Sequence, residues 1–273
     1  MSSVADMSYD SSRAVPAPRR SAQWRKVLVA YSFIAPNFIG FTIFTLGPIL
    51  FSFALAFLHW DGSNPITFAG LDNFWRLFSD PSFIAALWNT ILYTVLSVPL
   101  TLVCALALAI LLNQKIPGRN FLRTAMFFPY VASLVAVAVV WNMLFNPEMG
   151  PVNMVLYTLG VDPRHLPRWA ADKNWAMITV VLFGAWKSMG YYMVIYLAGL
   201  QSINRDLYEA ASIDGAGAWQ KFRFVTVPQL APTTLFITVM LTIQSFKVFD
   251  QIYLLTQGGP GTSTLVLVYH IYN

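Results

Sequence analysis

Lys187, Lys247 and Asp250 call for a chemical explanation first, because each lies inside a long apolar run. A charged side chain in such a run is costly unless it is paired or faces a polar cavity. Lys187 is flanked by Trp186, Ser188, Tyr191 and Tyr192. Lys247 and Asp250 are three residues apart, a spacing that puts them on one face of a helix, with Gln244 and Tyr253 nearby. Aromatic faces can stack on the C–H groups of a sugar ring while amide and charged groups bind its hydroxyls. Trp186, Lys187, Tyr191, Gln244, Lys247 and Asp250 therefore make a candidate sugar-contact set. The structural alternative stands beside it: Lys247 and Asp250 neutralise each other and hold helices together. Asn89, Thr90, Tyr130 and Asn142, single polar residues on apolar stretches, are expected to make interhelical hydrogen bonds.

A second cluster of interest sits in the polar segment 201–229, QSINRDLYEAASIDGAGAWQKFRFVTVPQ. Asp206 followed three residues later by Glu209 reads as a capping box opening a short helix. Leu207, Ala210, Ala211 and Ile213 give that helix an apolar side, and Gly215 and Gly217 turn the chain. Trp219, Phe222 and Val225 mark a second helical piece, and Pro228 resets direction. Two short helices meeting at a glycine turn can dock in a groove of a partner, with Glu209 offering a charge.

The elements around these residues are set by composition. The chain has 273 residues, of which 57% are hydrophobic and only 11% charged, against about 25% charged in a soluble domain. The charges sit between apolar runs long enough for about 20 residues per bilayer crossing. The expected spans are 27–58, 87–112, 124–145, 175–200 and 230–255, with bends at Pro36, Pro48, Pro99 and Pro129. Residues 1–26, rich in Ser, Ala, Pro and Arg, read as a disordered cytoplasmic tail. Residues 27–273 are the membrane domain. Residues 264–273 begin another apolar segment too short to cross, read as the start of a truncated sixth span. The fold class is thus all-α integral membrane, about six transmembrane helices, five of them complete.

Charge sorting gives the orientation. Arg13, Arg19, Arg20, Arg25, Lys26, Lys115, Arg119, Arg123, Arg205, Lys221 and Arg223 fall on one side, while only Arg76, Arg164, Arg168 and Lys173 fall on the other. Basic residues concentrate in cytoplasmic segments, so the N-terminus and the segment 201–229 are expected inside. This sorting also argues against nucleic acid as the cause of the net charge of +5. No GxxxxGK[ST] loop, HExxH run or paired Cys/His spacing occurs, so ATP and metals are not expected on this chain. Cys104 lies in an apolar run and reads as a small filler.

Glu209-Ala210-Ala211, then Gly215, then nine residues to Val225-Thr226-Val227-Pro228, resemble the EAA motif of ABC import permeases, with Val at two positions where Ile and Leu are common. The stretches Gly70–Thr90, Leu197–Ile203 and Phe246–Gly261 are similar to the carbohydrate branch, in particular to the maltose-type first permease. The resemblance implies the type I importer permease fold. It implies a coupling helix in which Glu209, Ala210, Ala211, Asp214, Gly215 and Pro228 meet an ATPase subunit. It implies further partners: a second permease, so a heterodimer, two ATPase subunits that carry ATP and Mg, and an external solute-binding protein. The setting implied is a bacterial cytoplasmic (inner) membrane, and the cargo a di- or oligosaccharide moved by alternating access. Other readings are a polyol or glycerol phosphate ester as cargo, a secondary carrier, and a membrane-embedded enzyme. A carrier would more often show repeated halves around an ion site, and an enzyme would need a His or second carboxylate beside Lys187, Lys247 and Asp250.

Overall fold

The computed structural model describes residues 20–60 and 62–273. Most of the expected tail lies outside these residues. Where the tail meets the membrane domain the expectation is corrected: helix α1 already starts at Arg20, so 20–26 are helical. The last tail proline is Pro18, and beyond it Ala, Gln, Arg and Lys are good helix formers.

The chain divides into two compact units, Met1–Arg76 and Leu77–Asn273. In the first, α1 (Arg20–Phe41) continues through a π-helical turn, Thr42–Leu46, into α2 (Gly47–Leu55). The helix runs on through Pro36. Pro48 is met by the wide turn: Gly47 N–H reaches back five residues to the Thr42 carbonyl, which suits a residue that cannot donate and whose ring crowds the preceding turn. A two-stranded hairpin follows, β1 (Leu58–His59) with β2 (Thr67–Phe68). Next in the chain is a short helix, α3 (Asp72–Ser79). The side-chain amide of Asn73, in its first turn, ties the hairpin down by donating to the carbonyls of Ala56 and Leu58, each at 3.0 Å.

The second unit is built on α4 (Pro81–Asn113) and α8 (Ala176–Ser202). Asp80 caps α4, its carboxylate accepting from Ser82 N–H. Near one end Ala105, Ala109 and Leu112 pack on Tyr196, Leu197 and Leu200. Near the other, Tyr93 clusters with Met177, Val180 and Phe183. The two helices are therefore parallel, and their C-termini share one end. Fully buried alanines at 105 and 109 let them close tightly.

Between them in sequence come α5 (Arg119–Val131) and α6 (Leu134–Leu144), bent by 100° at Ala132–Ser133. The apolar pattern predicts one span over 124–145 with a bend at Pro129; the bend is present but falls three residues later, as a full break. Pro129, which donates no backbone bond, lies in the last turn of α5, and Ala132 turns to extended geometry. Gly190 on α8 faces the Met126 carbonyl so closely that a Cβ has no room. A short α7 (Pro151–Thr158) follows, pinned by the Asn153 amide on the carbonyls of Pro147 and Pro167.

After α8 come α9 (Arg205–Ile213) and α10 (Ala218–Lys221). From α10 a second π turn, Phe222–Thr226, leads to α11 (Val227–Gln229). A 63° bend then opens α12 (Ala231–Phe246). The unit ends with α13 (Asp250–Leu255) and α14 (Leu267–Tyr272). The expected span 230–255 is thus interrupted at 247–249. No Pro or Gly marks the break. Val248 is buried in the second cluster, and Phe249 packs on Tyr253, Tyr269 and Tyr272, so tertiary contacts outweigh helix continuity there.

Among the described residues, three helices are long and apolar enough to cross a membrane: Lys26–Leu55, Pro81–Asn113 and Ala176–Ser202. The number rises to five if each bent pair is one span. Residues 264–273 lie along α4 in part: Asn89 donates to the carbonyls of Thr262 and Leu265, and Leu267 N–H donates to the Thr90 hydroxyl. Asn142 reaches the Leu254 carbonyl at 3.3 Å, so Thr90 and Asn142 bond between helices as expected, while Asn89 bonds the loop between α13 and α14 instead.

Candidate functional site

An open cavity of about 480 Å³ lies where α4, α5, α8, α12 and α13 meet. Of the six expected contact residues, Lys187, Gln244, Lys247 and Asp250 line it. Trp186 does not: its ring lies in an aromatic cluster, 5.1 Å from Trp141. Tyr191 does not either, but it stacks at 4.5 Å on Tyr130, which does. Tyr191 thus supports the wall from behind.

Lys187 has a defined task. The end of α5 leaves carbonyls without a following helical donor, and the Lys187 ammonium donates to two of them, Pro129 O at 3.3 Å and Tyr130 O at 3.1 Å. It also sits 5.6 Å from the Tyr130 ring centre. A cation at the negative end of a helix is favourably placed. The intramembrane charge is therefore accommodated by the break in the neighbouring helix, with the head group still at the cavity wall.

Lys247 and Asp250 do not share one helical face. Lys247 ends α12 and Asp250 begins α13, and no ion pair joins them among the described residues. Both are exposed to the cavity side, as is Gln244. The structural pairing expected for them is not what this geometry offers.

Tyr93, Tyr192 and Gln251, absent from the expected set, also line the cavity. Tyr192 adjoins the tyrosine already named, and Gln251 adjoins Asp250. A helical count through 247–250 misplaces Gln251, because the chain is not helical there. Tyr93 sits in an unremarkable apolar run, with Ser97 and Thr101 following at four-residue steps on the same wall.

The second feature is the segment 204–229. Its helix is capped by Asn204, whose side chain accepts from Asp206 N–H at 3.1 Å, so the cap lies two residues before the expected Asp206 and takes the place of the capping box to Glu209. The stop is a Schellman turn: Ala216 N–H bonds Ala211 O and Gly215 N–H bonds Ser212 O, with Gly215 at φ +78. The Gln220 side chain accepts from Gly217 N–H and starts the next piece. Two cross-links fix the pieces together, Lys221 Nζ to Ser212 Oγ at 2.7 Å and Tyr208 to Thr226 at 2.9 Å. Glu209, Ala210, Asp214, Gly215 and Pro228 are exposed and Ala211 half-buried. Ile213 is 87% and Trp219 71% exposed. The polar hairpin thus carries two large apolar side chains on its surface.

Multiple apolar spans around a polar cavity, with such a hairpin at one end, define a membrane transport subunit and not an enzyme. The chain belongs to the family described as binding-protein-dependent transport system inner membrane component, whose pattern matches residues 97–273. It is an all-α inner-membrane permease of the ABC importer type. It is 39% identical over 244 residues to the lactose transport system permease protein of Rhizobium radiobacter, covering 88% of this chain and 81% of that one. To the trehalose/maltose transport system permease protein of Thermococcus litoralis it is 33% identical over 256 residues, covering 92% and 85%. To the sn-glycerol-3-phosphate permease protein of Agrobacterium fabrum it is 35% identical over 250 residues, covering 90% and 83%. A solved bacterial alginate ABC transporter, in complex with an alginate pentasaccharide-bound periplasmic protein, contains a chain of the same fold. The TM-score is 0.78 at 28% identity, over 93% of this chain and 85% of that one.

Proposed function

We propose that this permease carries a sugar, a di- or oligosaccharide, received from an external binding protein and released to the cytoplasm. The observation that carries the reading is the cavity: hydroxyls, the amides of Gln244 and Gln251, Lys247 and Asp250 stand among tyrosine rings in one open space, a mixture suited to a polyhydroxylated ring. The lactose and trehalose/maltose relatives are consistent with it. The sn-glycerol-3-phosphate relative and the lysines of the cavity support a phosphate ester as the competing cargo.

The remaining parts of the reading follow from the importer type. The permease works beside a second, different permease subunit. Two ATPase subunits bind ATP and Mg, this chain holding no cofactor. Residues Glu209–Gly215 and Pro228 form the docking element for one of them. The basic residues around Lys115 and Lys221, and those ahead of Val27, support a cytoplasmic placement of those segments and of the N-terminus.

The test is uptake by the full complex in vesicles, with radiolabelled lactose, maltose, trehalose and sn-glycerol 3-phosphate offered one at a time. Uptake of one or more sugars is expected, and Lys247→Met and Asp250→Asn should each lower it by about tenfold, as for a lost charge-assisted contact, with assembly intact. Uptake of sn-glycerol 3-phosphate alone would replace the sugar reading.

A further inference from the structure

Three helices touch at one point of the cavity wall. Tyr93 on α4 donates its hydroxyl hydrogen to Gln251 Oε1 on α13 at 3.1 Å. Both groups lie against Gly184 on α8. A Cβ on Gly184 would fall 2.5 Å from the Tyr93 oxygen and 2.7 Å from Gln251 Oε1. Gly184 does not need a positive φ; it is a glycine in mid-helix, buried, where any side chain would break this contact. Tyr93 is 4% exposed, so its hydroxyl needs a partner, and Gln251 supplies it.

The hydrogen bond has a chemical consequence for Gln251. One lone pair of its oxygen is taken by Tyr93, and its amide nitrogen, which only donates, is left with two N–H groups to offer. Among the described residues no hydrogen bond is made by this nitrogen, and Gln251 lines the cavity. We propose that Gln251 is a ligand-reading residue, held by Tyr93 and Gly184 so that it offers N–H donors to an acceptor oxygen of the cargo. Ring, glycosidic and hydroxyl oxygens of a sugar all accept, so this rests on the sugar reading above. Tyr93 and Gly184 are positioning residues: they touch Gln251, and their effect passes through its amide.

The experiment uses the full reconstituted complex with whichever of lactose, maltose or trehalose the parent imports. Sugar imported per ATP hydrolysed is measured for Gln251→Met and Tyr93→Phe. Both variants keep the size of the side chain. The ratio should fall about fivefold in Gln251→Met, the range for one lost hydrogen bond. It should fall less in Tyr93→Phe, where the amide remains but can turn. Gly184→Ala should match Gln251→Met; should it fail to assemble, the two conservative variants decide. A ratio within twofold of the parent in Gln251→Met overturns the proposal while the sugar reading stands. So does a proportional fall of uptake and hydrolysis, which marks a purely structural contact. If the parent imports none of the three sugars, the sugar reading fails and this assignment with it.

Discussion

Lys187 lines the cavity as expected and has a second task that its neighbours in sequence do not reveal. An ammonium among aromatic residues suggests a ligand contact, but its hydrogen bonds go to the Pro129 and Tyr130 carbonyls. Lys187→Met leaves two carbonyls at a broken helix end without a donor, a loss of about 1–3 kcal/mol. The thermal midpoint of the detergent-purified chain should drop, and Lys187→Arg should restore most of it. A methionine variant as stable as the parent would remove the capping role. Trp186 and Tyr191 are legible in the sequence as aromatic residues near the site, yet their rings pack behind the wall. Spacing along a helix gives the face only to within neighbouring positions, and the packing of α5 and α6 decides which aromatic reaches the cavity.

At the scale of the element, the segment 204–229 is the part most fully readable. Two helical pieces, the glycine turn and the redirecting proline all stand where the residue types put them. Only the cap differs: the helix starts two residues earlier, where the Asn204 side-chain oxygen accepts from Asp206 N–H. Gly215 stands at φ +78 with open space around the place a Cβ would take. A side chain there strains the backbone, by about 1–2 kcal/mol, or meets a partner. Glu209 has no ion-pair partner among the described residues. Gly215→Asp and Glu209→Lys should therefore leave the chain inserted while weakening retention of the ATPase subunit. The readouts are co-purification and binding-protein-stimulated hydrolysis alongside sugar uptake. Parent-like values for both variants would reduce this hairpin to an ordinary loop.

For the whole molecule, the parallel arrangement of α4 and α8 places the segments after Asn113 and after Ser202 at one end of the second unit. Charge sorting supports the proposal that this end is cytoplasmic. Single cysteines at Lys115 and Lys221, in a Cys104→Ala background, should resist an impermeant thiol reagent on intact spheroplasts, while one at Lys173 should react. Labelling at Lys115 or Lys221 would reverse the orientation. Sequence alone determined the membrane class and the approximate spans, because bilayer burial demands long apolar runs whose composition is visible without any fold. It also determined the two-piece hairpin of 204–229, because helix propensity and glycine turns are local chemistry, although the cap itself moved to Asn204. Tertiary structure decided the breaks at Ala132–Ser133 and 247–249, where packing of Val248 and Phe249 and the Lys187 cap outweigh the continuity that the apolar pattern predicts. It alone decided the cavity, since Tyr93, Gly184 and Gln251 come from three helices and meet only once those helices have packed.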